Sequence, residues 1–80
     1  MVVNQFEEIR VYDGVAERTG VLVERSMVRR SNTCCNSLTE LTRKTRSIGD
    51  GIFYLPVNIW PEGAERLQLQ KEWVVFSSLA

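Results

Sequence analysis

The chain has 80 residues, no histidine and two cysteines, and its formal net charge is zero. Eighty residues make one domain, residues 1–80, and a domain this small buries only about 60% of its unfolded surface. Its core therefore supplies only a few kcal/mol, and natural proteins of this size usually add a disulfide, a metal, a ligand or a second subunit. The composition does not support histidine-based catalysis or a four-ligand zinc site.

The two cysteines, Cys34 and Cys35, are adjacent. A disulfide between neighbours is a strained ring, far from the preferred Cα separation of about 5.5 Å, so we expect reduced thiols in an intracellular protein. Glu7, Glu8 and Arg10 interrupt the N-terminus before a signal peptide could form, and no apolar run approaches the roughly 18 residues that span a bilayer. We expect a cytoplasmic location, no membrane contact, no metal and no cofactor. A metal or redox site shared between subunits is the alternative.

Charge is unevenly distributed along the chain. Residues 25–46 contain six basic residues and one acidic residue, whereas residues 1–24 have a net charge of −3 and residues 47–80 of −2. The basic middle between two acidic ends suits an anionic ligand, or head-to-tail or isologous pairing of subunits.

The first third of the chain predicts strands. Residues 6–12 alternate between apolar and polar side chains, which is typical of a half-buried strand, and Asp13-Gly14 follows as a tight hairpin turn. A short return over residues 15–18 leads to a second turn candidate at Thr19-Gly20. Residues 21–28 are rich in β-branched side chains and predict a longer strand.

The middle of the chain predicts one short helix. Ser37 and Glu40 have the spacing of a capping box, and Gly49 is a suitable helix end. Apolar residues between them fall near one helical face, although three threonines weaken the helix through their restricted side chains. A polar strand or an ordered loop is the alternative over residues 37–48.

The last third predicts two strands, Ile52 to Trp60 and Arg66 to Phe76, joined as a bulged hairpin by Pro61-Glu62-Gly63. Pro56 cannot donate a hydrogen bond to a neighbouring strand. Its strand is therefore expected at an edge of the sheet, or kinked at that residue.

These elements give the order β-β-β-α-β-β. We predict a mainly β (α+β) domain with one short helix and about five strands, arranged as a small antiparallel sheet or a partly open barrel. The order resembles that of the oligonucleotide-binding barrel, in which a helix links the third and fourth strands. A small open sheet or an SH3-like barrel suits the strands equally well, and no family is indicated by the residues themselves.

Catalytic candidates are weak. Without histidine the commonest general base is absent, and Glu7 and Glu8 point to opposite faces of a strand, so they cannot flank one bond. Cys34 or Cys35 could act as a nucleophile only if its thiol were activated, for which the helix start at Ser37 is the one argument. We expect no enzymatic activity and no catalytic residue.

The basic segment is the candidate nucleic-acid site. If the fold brought its side chains together, they could contact several phosphates and bind with a salt-dependent affinity, while exposed aromatic rings could stack on bases. The candidate residues are Arg25, Arg29, Arg30, Arg43, Lys44 and Arg46.

The C-terminal third carries an excess of apolar residues. Both predicted strands are apolar on two faces, and one short helix can cover only one of them, so we expect the second face to form an interface. The candidate interface residues are Tyr54, Trp60, Trp73, Val74 and Phe76. The sequence thus favours a non-enzymatic binding module that acts through protein–protein contact and self-associates. Nucleic-acid binding through residues 25–46 is the alternative.

Overall fold

The computed structural model describes residues 4–69 and the backbone of residues 74–77. In chain order the described elements are β1 (Gln5–Tyr12), β2 (Val15–Glu24), α1 (Arg25–Val28), α2 (Leu38–Ile48), β3 (Gly51–Pro56), β4 (Arg66–Leu69) and β5 (Val74–Ser77). The strands form one sheet in the spatial order β3-β1-β2-β4-β5, and every neighbouring pair is antiparallel. The predicted antiparallel sheet with a helix is confirmed. The sheet is open, so the barrel alternative is wrong.

The β1–β2 hairpin forms as predicted. Tyr12 pairs with Val15, and both residues of the intervening turn have a positive φ, 53° at Asp13 and 78° at Gly14. Two consecutive left-handed residues make the turn whose twist matches that of the flanking strands. Along β1, Ile9 and Val11 are buried on one face of the sheet.

The predicted turn at Thr19-Gly20 is wrong, because β2 does not reverse there. Glu7 pairs with Leu22 and Ile9 with Arg18, so β2 carries two more residues than β1 across this stretch. The excess bulges outward at Gly20, whose φ is 82°. The Thr19 hydroxyl donates to the Glu8 carbonyl at 2.9 Å and so replaces the missing backbone donor.

The third strand predicted over residues 21–28 is consequently wrong as well. Its first half is the end of β2, and Arg25–Val28 forms the single turn α1. The β-branched residues that suggested a separate strand continue an existing one beyond its bulge.

The helix predicted over residues 37–48 is confirmed as α2. The Ser37 hydroxyl accepts a hydrogen bond from the Glu40 N–H at 3.1 Å, while the Glu40 carboxylate accepts from the Asn36 N–H at 3.0 Å. In the predicted capping box the Glu40 side chain accepts from the Ser37 N–H, whereas in the structure it accepts from the N–H of the preceding residue. Gly49 ends the helix with φ 102°, and its N–H donates to the Thr45 carbonyl at 2.8 Å.

The hairpin predicted over the last third is wrong. β3 pairs with β1 and β4 pairs with β2, so residues 57–65 connect strands that are not neighbours. β3 ends at Pro56, and Trp60 enters the core instead of extending the strand. The single strand predicted from Arg66 to Phe76 is two antiparallel strands, in which Leu69 pairs with Val74.

The prediction that Pro56 lies on an edge strand is confirmed. The loop before α2 covers that edge at Tyr54, whose N–H donates to the Thr33 carbonyl at 3.0 Å and whose carbonyl accepts from the Cys35 N–H at 2.9 Å. These bonds place the backbone groups of Tyr54 on the side away from β1. The backbone nitrogen of Pro56, two residues on, faces the same side. Its missing N–H therefore removes no hydrogen bond to β1.

The core lies on one face of the sheet, which we call the core face. It is covered by α2 and by the connection between β3 and β4. Its buried residues are Ile9, Val11, Ala16, Cys35, Leu41, Phe53, Leu55, Trp60 and Leu67. The described residues cover the opposite face, called here the outer face, only at one end. In the part of the chain that is described, no helix has the length and apolar character needed to cross a bilayer.

Candidate interaction surface

The outer face carries a row of paired charges across three strands. Arg10 and Glu17 are register partners, and the Arg10 Nε donates to the Glu17 carboxylate at 3.0 Å. Arg66 on β4 lies 3.4 Å from the other carboxylate oxygen of Glu17. The hydrogen bond from Arg10, followed by the charges of both arginines, holds the pKa of Glu17 below its usual value. This row is exposed to solvent, and both of its arginines pair with the Glu17 carboxylate.

The far end of the outer face is closed by α1. Phe6 is fully buried, and the Arg25 guanidinium lies 5.0 Å from the centre of its ring. Val28 on α1 and Pro56, the register partner of Phe6, are buried as well. A cation over an aromatic face is attracted by the ring quadrupole. α1 thus seals a small apolar cluster separate from the main core.

β2 extends well past β4, one of its two neighbouring strands. β4 pairs only with residues 15–17 of β2, so within the described chain no strand lies beside residues 18–24 on that side. We call residues 18–24 the free edge of β2. Two neighbouring apolar side chains on it are exposed, Val21 at 46% and Leu22 at 53%. Unpaired strand edges are ready templates for pairing with another chain.

The pairing of β1 with β2 and β3 determines which way the backbone N–H and C=O groups of the free edge point. The Glu8 carbonyl accepts from Thr19 of β2, so the backbone groups of Glu8 face β2 and those of Glu7 face β3. Leu22 is the register partner of Glu7, and its N–H and C=O therefore point away from β1. Those of Glu24, two residues on, point the same way. The free edge thus offers donors and acceptors as well as apolar side chains.

A buried ion pair anchors the start of the free edge. Glu7 is only 2% exposed, and its carboxylate accepts two hydrogen bonds from Arg18, at 2.6 Å from Nε and 2.8 Å from Nη2. The same guanidinium lies 6.0 Å from the centre of the Trp60 ring. The hydrogen bonds with Glu7 raise the pKa of Arg18 above its ordinary value. The pair fixes β2 to β1 just before the bulge.

The six basic candidates are divided among several roles. Lys44 is committed to the fold, since its ammonium donates to the Cys34 carbonyl at 2.7 Å and lies 3.2 Å from the Glu40 carboxylate. Arg25 covers Phe6. The remaining four are exposed, two just after α1 and two on α2: Arg29, Arg30, Arg43 and Arg46.

The five interface candidates do not form one described surface. Trp60 is only 7% exposed and its indole N–H donates to the Ala64 carbonyl at 2.8 Å, so it belongs to the molecule's own core. Tyr54 is half-buried on β3. Trp73 lies outside the described residues, as do the side chains of Val74 and Phe76.

Sequence reasoning missed the exposed residues of the free edge. The sequence predicts a strand at Val21 and Leu22 but no exposure, because a run of apolar residues is equally typical of a buried strand. The available signal was the consecutive run Val21-Leu22-Val23 directly after Gly20. A run of three places apolar side chains on both faces of a strand, so some of them are exposed wherever the described residues leave part of that strand uncovered.

The cysteine thiols are not activated. Cys35 is fully buried, and burial raises the pKa of its thiol to about 12. Burial also raises the pKa of the Cys34 thiol. Within the described residues, no group of three or more cysteine, aspartate and glutamate side chains is placed to hold a metal ion.

Comparisons with known proteins return no match: neither a family model, nor a curated protein, nor a solved structure is similar to this chain. The functional proposals below therefore depend on the surfaces just described. Two stand out among them, the free edge of β2 and the four exposed arginines.

Replacing Arg18 by Ala should destabilise the protein by about 1–3 kcal/mol, because it leaves the buried Glu7 carboxylate without its partner. The free energy of unfolding is measured by urea titration with tryptophan fluorescence. Adding Glu7→Gln should recover part of the loss, since the buried charge is then removed. The exposed Arg30→Ala is the control, expected within about 0.5 kcal/mol of the parent. Equal losses in Arg18→Ala and Arg30→Ala would contradict this role.

Both thiols should react slowly with iodoacetamide in the native protein at neutral pH. The thiolate is the reactive form, and the raised pKa values of Cys34 and Cys35 keep the thiols protonated there. The reaction rate, followed by mass spectrometry, should keep rising as the pH is increased past the range of an ordinary thiol. The urea-unfolded chain is the control, in which both cysteines react at ordinary rates. Rapid modification of one cysteine at pH 7 would revive the nucleophile hypothesis.

Proposed function

We propose that the protein is a non-enzymatic interaction module that acts through protein–protein contact and associates with itself. The observation that carries the proposal is the free edge of β2, where Val21 and Leu22 are exposed on a strand segment that has β1 on one side and no described strand on the other. Met27 on the adjoining α1 is exposed as well. Three large apolar side chains within seven residues are typical of a surface that a partner covers.

Small size supports the same proposal. Among the described residues nine are buried in the main core, and a domain of this length has only a few kcal/mol of stability from burial. Burying one exposed leucine or valine fully contributes about 1.5–3 kcal/mol. Covering the free edge would therefore add a substantial fraction of the total stability.

The chemistry of the side chains argues against an enzyme. The thiol pKa values are raised, the chain has no histidine, and the buried carboxylate of Glu7 is held by Arg18. A cytoplasmic location is part of the proposal, because two adjacent reduced cysteines suit a reducing compartment.

Self-association is tested by light scattering after gel filtration, from about 5 µM to about 500 µM protein. The measured mass should rise from the 9.2 kDa of a single chain toward twice that value as the concentration increases. A mass of one chain at every concentration would remove the proposal.

A second candidate function is nucleic-acid binding, supported by the four exposed arginines, Arg29, Arg30, Arg43 and Arg46. Labelled single- and double-stranded oligonucleotides are titrated at two salt concentrations. If the candidate holds, binding weakens steeply with salt and collapses when all four become alanine. Arg10→Ala is the matched control, because Arg10 is exposed yet paired with Glu17. Binding that survives the fourfold substitution would exclude this site.

A further inference from the structure

We propose that the free edge of β2 binds the same edge of a second copy in antiparallel orientation, joining two five-stranded sheets into one. This inference rests on the self-association proposed above and names its surface and geometry. The contact is isologous: one two-fold axis passes through Leu22 of the free edge, and each copy offers the same residues.

The backbone meets the first requirement for such pairing. The N–H and C=O groups of Leu22 and Glu24 point away from β1, toward the side that β4 leaves open. A second strand placed there receives and donates hydrogen bonds in the pattern of any antiparallel ladder. The Val23 backbone, by contrast, is committed to Phe6 of β1.

The side chains meet the second requirement. With the axis at Leu22, this residue lies opposite the partner's Leu22, and Val21 lies opposite the partner's Val23. The centre of the contact is then apolar on both faces of the joined sheet, which removes the exposed area of Val21 and Leu22 from water.

The charges select a second copy running antiparallel. Arg18 stands at the start of the free edge and Glu24 at its end. An antiparallel copy brings Glu24 diagonally beside the partner's Arg18, at a separation that long side chains span. A parallel copy would bring like charges together. Arg18 remains 47% exposed while it binds Glu7, so its guanidinium is accessible to a second carboxylate.

The neighbouring elements limit the contact to these seven residues. β4 occupies the same side of β2 up to Glu17, and α1 begins at Arg25. A symmetric pair occupies the free edge of both copies, so association at this surface closes at two chains.

The decisive variant is Leu22→Lys, which places a charge against its own copy across the axis. Its dimer dissociation constant, measured by analytical ultracentrifugation, should rise at least about tenfold. Ile48→Lys is the matched control. The exposed fraction of Ile48, 47%, is similar to that of Leu22, but Ile48 lies at the end of α2 and not on the free edge. Its dissociation constant should be unchanged.

A second variant tests the charge pairing. Glu24→Lys sets two cations beside each other at each end of the contact, so the dimer should weaken, and more strongly at low salt than at high salt. Glu62→Lys, an exposed change in the β3–β4 connection, is the control and should leave the dimer intact. Equal effects of the two variants would contradict the antiparallel register.

Hydrogen exchange reports the geometry without any substitution. The amide protons of Leu22 and Glu24 should become protected as the protein concentration rises, while that of Val23 is protected at every concentration. A dimer that persists in Leu22→Lys, with no change at these amides, would overturn the edge pairing and leave the proposed self-association standing. A wild-type chain that stays monomeric would remove both.

Discussion

The architecture depends on a mismatch of strand lengths around β2. β1 pairs with this ten-residue strand on both sides of its bulge, over residues 15–18 and 22–24, but β4 reaches only its first three residues. The bulge at Gly20 and the ion pair between Glu7 and Arg18 keep the long strand in register where its second neighbour is missing. β2 is thus held on one side and has no described strand along residues 18–24 on the other, and the proposals of self-association and of edge pairing follow from that combination.

The distribution of apolar residues follows from the same mismatch. The core face is covered by α2 and the β3–β4 connection, with Trp60 and Leu41 buried. The described residues form no comparable layer on the outer face. It relies on α1 over Phe6 at one end and on the Arg10–Glu17–Arg66 row at the other. A chain of this length builds one main core, and several apolar residues outside it, among them Val21, Leu22 and Met27, lie at the surface.

Local signals in the sequence predicted local structure well. Asp13-Gly14 predicted its hairpin, Ser37 and Glu40 predicted α2, and Pro56 predicted an edge strand, because each acts within a few residues. Pairing between distant strands was not predictable: Gly20 reads equally as a turn or a bulge, and Pro61–Gly63 joins strands that are not neighbours. The exposure of Leu22 was missed for that reason, since it depends on where β4 stops.

The loop that covers β3 uses main-chain atoms to do so. The Thr33 carbonyl and the Cys35 N–H satisfy Tyr54, and the Cys34 carbonyl accepts from Lys44. None of these bonds depends on the side chains of Thr33 or Cys34. The Cys34 side chain should consequently be freer to vary than that of Thr33, whose hydroxyl lies 2.7 Å from the Ser31 hydroxyl. An insertion or deletion between Ser31 and Ser37 would shift the carbonyls off their donors, so the segment is constrained in length as well as at the buried Cys35.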